Sequence, residues 1–259
     1  MHRGYGGTFE SEHASALLVA HPGHELLLHH WLEREHPIVF VLADGSGGNG
    51  QDRCAASVRV IHAAGASIGP VFGFASDKRW YAAILAGERE LFEGARRLIA
   101  AACRDAQVRR LVTDSVELYN PMHDLCNALA AGVAREIRQD GGEIELLDYA
   151  LEHPKLKTGP ARLELSLPPD ALERKLTAVG SYLQLIAEVE RRNWPASAYR
   201  WERLYVRDAG CAWPAEPAHE PFYEWFGRRR IEEGLYRELI TYRVHVRPLA
   251  IALSGEPAS

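Results

Sequence analysis

The chain has 259 residues, 47% of them hydrophobic, enough to bury a substantial core as one α/β domain with an extension or as two small domains. A formal net charge of −5 and a pI near 6.2 argue against an extended nucleic-acid footprint. No run approaches ~18 uninterrupted apolar residues, the opening Met1-His2-Arg3-Gly4-Tyr5-Gly6-Gly7 is polar, and Cys54, Cys103, Cys126 and Cys211 lack CxxC spacing, so the expectation is a cytoplasmic protein with reduced thiols and neither a membrane nor a nucleic-acid partner.

In chain order, strand-like and helix-like stretches alternate. The apolar run Ala16-Leu17-Leu18-Val19-Ala20 reads as a buried strand, and residues 25–35 as the helix after it. Pro37 stops that helix, and Ile38-Val39-Phe40-Val41-Leu42 is the next strand. Residues 52–64 form a helix closed by Gly65, followed by a short strand at Val71-Phe72-Gly73. Residues 88–103 carry helical periodicity, Arg110-Leu111-Val112-Thr113 is a strand, 123–138 a helix ending before Gly141-Gly142, and Glu143 to Leu147 another strand. Parallel neighbours need crossover helices, so the alternation predicts a mainly parallel sheet in a three-layer Rossmann-like sandwich.

The tail differs. Pro154 to Pro169, with Lys155, Lys157, Thr158, Gly159 and Pro160, reads as a loop or irregular hairpin. Leu172, Leu176, Val179, Leu183, Ile186 and Val189 recur at helical spacing across 171–192, and a second helix is expected near Ile231 to Thr241. Between them lies an aromatic-rich stretch with Trp194, Trp201, Trp213, Phe222, Tyr223, Trp225 and Phe226, which could pack on the core or line a sugar-sized cleft. The expected division is a core over 1–150 and a helical, aromatic-rich C-terminal extension over 151–259 that packs on it.

Three histidines point to chemistry. His21 and His24 lie in Ala20-His21-Pro22-Gly23-His24-Glu25 and His123 in Tyr119-Asn120-Pro121-Met122-His123-Asp124, each motif just past the carboxyl end of an expected strand. In an open α/β sheet such ends converge on one edge, where ligands bind. Three neutral imidazoles with a coordination position left open are the elements of a catalytic site for zinc or a similar divalent ion. The remaining histidines are read as ordinary polar residues, His29 and His30 as solvent-facing. A metal-bound water and a polarised carbonyl would suit amide hydrolysis, given a group to move the proton. Glu117, Asp114, Glu25 and Asp124 are the nearby acids; Glu117 is preferred as base, and each could instead cap a helix or hold the second nitrogen of an imidazole, the role expected for Glu25 and Asp124. Asn120 could donate to a developing oxyanion or merely form a turn before Pro121.

Both histidine segments resemble the zinc-dependent N-acetyl-sugar deacetylases of the PIG-L/LmbE-like family, whose motifs read Ala-His-Pro-Asp-Asp-Glu and His-Pro-Asp-His. The resemblance spans about the first 150 residues. Aligned on Ala20-His21-Pro22 and Glu25, Gly23 falls where the family has the aspartate taken as general base, and His24 where it has a ligating aspartate. Asn120 stands at the family's first later histidine, and His123 matches the ligating one. The resemblance implies a hydrolase acting on an N-acylated sugar or related polar metabolite. It also implies a substrate-side loop after the second strand, with Asp44 and Arg53 as contacts to sugar hydroxyls or anions, and it matches Asp77 to an aspartate near the cleft.

That loop, Asp44-Gly45-Ser46-Gly47-Gly48-Asn49-Gly50, contains Gly-x-Gly-x-x-Gly. It follows the second strand and has no acidic residue about 20 positions onward to hold a ribose, so a nucleotide-dependent transferase is disfavoured. Two readings remain: a metal-dependent deacetylase-like hydrolase with a relocated base, and a catalytically altered metal-containing protein of the same fold that binds a sugar-like ligand.

Overall fold

The computed structural model describes residues 14–47, 50, 52–152, 159–185, 199–207, 213–217 and 219–256. Met1–Gly7, Gly48, Asn49, Lys155, Lys157, Thr158, the expected helix beyond residue 185, Trp194 and Cys211 lie outside the described residues. Cys54, Cys103 and Cys126 are free thiols.

The strands are β1 (Ser15–Val19), β2 (Ile38–Ala43), β3 (Ser67–Ala75), β4 (Arg110–Asp114), β5 (Glu145–Tyr149), β6 (Leu163–Ser166) and β7 (Trp201–Val206). They form one seven-stranded sheet in the order β3-β2-β1-β4-β5-β7-β6. The first five pair in parallel, whereas β7 runs antiparallel to β5 and β6 antiparallel to β7. Among the described residues the helices are α1 (His29–Glu35), α2 (Cys54–Ala63), α3 (Asp77–Ala86), α4 (Arg89–Asp105), α5 (Pro121–Gln139), α6 (Pro169–Ser181), α7 (Phe222–Glu232) and α8 (Arg247–Ser254). This is an α/β fold with a mostly parallel sheet, compatible with the Rossmann-like expectation, and no helix of the described residues is long and apolar enough to cross a membrane.

Alternate side chains of the central strands feed two buried clusters, as the period of two requires. Leu18 and Phe40 join Trp80 of α3, Phe92 of α4, Leu129 of α5 and Leu253 of α8. Leu17, Val19, Val39 and Val41 join Trp31 and Leu32 of α1 and Ile61 of α2. Such two-sided burial explains why these strands read as continuous apolar runs.

Several expectations are corrected. The helix expected over 25–35 begins as a 3₁₀ segment, His24–Leu28, before α1 takes over. The short strand at 71–73 is the nine-residue β3; Pro70 sits on this edge strand, where a missing N–H is tolerated, and Gly73 takes φ 60° beside a register shift. Helix α3 and strands β6 and β7 were not anticipated. The helix expected near 231–241 is absent: α7 ends at Glu232 and Gly234 adopts φ 74°, with Leu235 N–H returning to the Arg230 carbonyl at 2.8 Å. That left-handed closure ends the helix, and helical bonding resumes only in the π turn Tyr242–Val246 that leads into α8. His29 is buried at 5% exposure rather than solvent-facing, and His30 is half-buried with Nδ1 on Glu33.

Candidate metal centre

The first arm of the site is the turn between β1 and the 3₁₀ segment. Gly23 takes φ 104°, which residues with a Cβ rarely adopt, and its N–H donates to Glu25 Oε2 at 2.7 Å. Glu25 is fully buried and also accepts from Ser57 Oγ, which lies 3.0 Å from the Tyr182 hydroxyl. Burial pushes the Glu25 carboxyl up to about 7 against the opposing pull of those donors. The turn is thus held from within by an acid, and His21 and His24 project from it. Glu25 does not take the imidazole-holding role expected for it; its carboxylate accepts from the turn amide and from a hydroxyl.

The second arm is the N-terminus of α5. Asn120, extended at φ −134°, caps the helix by accepting Met122 N–H at 2.9 Å, and Pro121 fills a first-turn position that needs no donor. This places His123 in the first turn, 4% exposed. Asp124 turns away and accepts the N–H groups of Glu117 and Leu118 at 3.1 and 3.2 Å, so it too lacks the expected imidazole role. Burial first, and then the Glu117 charge, push its carboxyl up to about 8.

The two arms meet. The His21, His24 and His123 rings lie with centroids 5.4, 5.2 and 4.6 Å apart, all edge to face, and one nitrogen of each falls within 4.8 Å of the others. A tetrahedral zinc with bonds of about 2.0–2.1 Å would hold its nitrogens closer than this limit. His21 and His123 are buried and His24 is half-buried. The donor set therefore fits a divalent ion of the zinc kind, whose identity the imidazoles alone do not fix.

Two carboxylates reach the rings from other strand ends. Asp77, in the first turn of α3, places Oδ1 3.0 Å from His21 Nε2 and accepts Gly47 N–H through Oδ2 at 3.0 Å. Burial raises its pKa, but the His21 bond, the Gly47 amide and Arg53 outweigh this and hold it below the ordinary carboxylate range. Asp114, at the end of β4, places Oδ2 2.9 Å from His24 Nδ1 and accepts Ala20 N–H at the same distance. It is fully buried, and desolvation raises its pKa against the pull of His123 and the Ala20 amide. Sequence reasoning weighed Asp114 as a base, a helix cap or a partner to an imidazole nitrogen, and favoured Glu25 and Asp124 for that last role. The available signal was the parallel pairing of β1 with β4, Leu18 opposite Thr113, which brings Asp114 beside Ala20.

The other expected site residues are placed as follows. Glu117 is buried, its Oε2 accepting Leu151 and Glu152 N–H at 3.2 and 2.9 Å. Asn120 Oδ1 also accepts the Tyr81 hydroxyl at 3.1 Å. Asp44 Oδ1 accepts from Ser46 N–H and Oγ and from Asp77 N–H, and Arg53 Nε donates to the Gly45 carbonyl at 2.7 Å. Asp44, Arg53 and Asp77 thus stitch the start of the glycine-rich loop to α3. Leu185 was not anticipated at all: a Cβ built on Gly23 would fall 2.2 Å from its Cδ1, so an apolar side chain fills the space over that residue.

No protein-family model matches the chain, and no curated protein matches it.

Proposed function

We propose that the chain is a zinc-dependent amide hydrolase resembling the PIG-L/LmbE-like deacetylases, removing the acyl group from an N-acylated sugar or related polar metabolite. The observation that carries this reading is the meeting of His21, His24 and His123 at one edge of a mostly parallel sheet. The two buried clusters on alternate sides of the strands support a three-layer arrangement, with residues 151–259 as the extension.

Bound there, zinc would supply Lewis acidity toward the amide carbonyl and a water acidic near neutral pH. The chain's own residues do the rest. In this reading Glu117 takes the water proton and passes it to the leaving amine, because Gly23 has no side chain to do so. Asn120, whose Oδ1 is committed to the helix cap and to Tyr81, turns its amide Nδ2 to the developing oxyanion. In this reading Asp44, Arg53 and Asp77, which hold the start of the glycine-rich loop against α3, contact the polar substrate.

One observation favours a second reading, a metal-containing protein that binds a sugar-like ligand without hydrolysing it. Leu185 occupies the space over residue 23, so no acid can act from there without displacing it. A screen of N-acetylated sugars and small amides for released amine, with zinc-loaded protein, separates the two. Turnover is expected, and Glu117→Gln should lower it by about 10²–10⁴-fold with metal content unchanged. Full turnover in that variant removes Glu117 from the mechanism, and binding without turnover by the wild type favours the second reading.

A further inference from the structure

We infer that His21 and His24 offer opposite ring nitrogens to the pocket they share with His123, His21 its Nδ1 and His24 its Nε2, and that Asp77 and Asp114 are the positioning residues that impose this. The consequence for affinity rests on the metal reading above, but the ring tautomers exist in the metal-free protein. A neutral imidazole carries one N–H and one lone pair, and an ionised carboxylate accepts only from the N–H side. Asp77 Oδ1 lies 3.0 Å from His21 Nε2, and Asp114 Oδ2 lies 2.9 Å from His24 Nδ1. The lone pairs are therefore left on His21 Nδ1 and His24 Nε2.

The surroundings of both carboxylates keep them in the accepting role. Asp114 Oδ2 accepts the Ala20 N–H at 2.9 Å, and its Oδ1 accepts the Tyr149 hydroxyl at 3.1 Å. The same hydroxyl lies 3.2 Å from the His24 carbonyl, tying ring and backbone of residue 24 to one anchor. Asp77 Oδ2 is taken by the Gly47 N–H, which leaves Oδ1 to face His21. Neither carboxylate belongs to the turn that carries the two histidines; they come from β4 and α3. The orientation of each ring is thus set by a different element, and the shared turn only brings the rings near one another.

The test begins on metal-stripped, ¹⁵N-labelled protein at about pH 8, well above the pKa of an unperturbed imidazole. Long-range ¹H–¹⁵N correlation should show the unprotonated nitrogen at Nδ1 of His21 and at Nε2 of His24. The same tautomer in both rings, or the reverse pair, overturns the inference. Zinc affinity from chelator competition should then fall about 10–100-fold in Asp114→Asn, with the cobalt-substituted visible spectrum altered and Asp114→Glu recovering most of the loss. Asp77→Asn provides the same measurement at His21 should Asp114→Asn fail to fold. Wild-type affinity in both asparagine variants overturns the positioning role. If Asp77→Asn removes the metal altogether and His21 Nδ1 proves protonated, Asp77 is a ligand itself and the inference fails. Wild-type protein that takes up no zinc while showing both tautomers overturns the metal reading and upholds the tautomer assignment.

Discussion

His29 shows what burial does to a residue whose sequence context carries no warning. Its side chain is held inside the protein, and desolvation lowers its pKa below the usual 6.5, with the Glu33 carboxylate 3.8 Å away pulling weakly the other way. The unfolded chain therefore takes up this proton at a higher pH than the folded one. Stability linked to His29 is fully present above pH 6.5 and is lost as pH falls from there through the lowered folded value. We expect urea unfolding of the wild type to weaken over that window by up to about 1.4 kcal/mol per pH unit, the limit for one proton. His29→Asn should flatten the profile. An unchanged slope in the variant would assign the acid sensitivity to other groups.

Among the elements, α1 and β7 are joined by a carboxylate of β7 that caps the helix and is itself paired with a lysine of α6. Leu28 at the start of α1 gives no side-chain cap; instead Glu202 of β7 accepts the N–H groups of His30 and Trp31 at 2.9 and 2.7 Å. Lys175 of α6 completes the arrangement, donating to Glu202 at 2.8 Å and to the Leu27 carbonyl at 2.6 Å. Both charged side chains are 1% exposed, so each depends on the other for its solvation. Lys175→Met should leave the Glu202 charge uncompensated and cost about 3–5 kcal/mol in chemical denaturation. Since Leu27 lies in the 3₁₀ segment next to His24, the variant should also weaken metal retention. A loss below about 1 kcal/mol, the usual scale of an exposed pair, would show that water reaches Glu202.

For the whole molecule, the histidine cluster exists only in the folded chain, because β1 and β4 must pair before residue 123 can meet residues 21 and 24. An ion that binds there stabilises the fold by mass action, about 2.7 kcal/mol at a free concentration a hundred times Kd. Zinc should raise the melting temperature, a chelator should reverse the rise, and His123→Ala should abolish the response while the apo protein keeps its fold. A zinc-dependent shift that survives in His123→Ala would place the ion elsewhere.

The sequence by itself determined what is local. The apolar runs at 16–20 and 38–42 and the stop at Pro37 were legible because each acts through its own neighbours, whereas α5 begins at Pro121 behind an Asn120 cap, two residues before the start expected at 123. The placement of His21 and His24 followed from the run at 16–20 and that of His123 from the run at 111–113, and the fold brings the three rings together. What only the tertiary structure decided is which distant groups face them. Asp77 and Asp114 rather than Glu25 and Asp124 reach the rings, and Leu185 lies over Gly23 from a segment more than 150 positions away. The strands β6 and β7 were hidden for a related reason: they alternate half-exposed and exposed or buried and exposed residues in short runs, and their partner strands, not their propensity, hold them in the sheet. Periodicity records which side of an element is buried; the group that buries it comes from elsewhere in the chain, and only long-range packing selects that group.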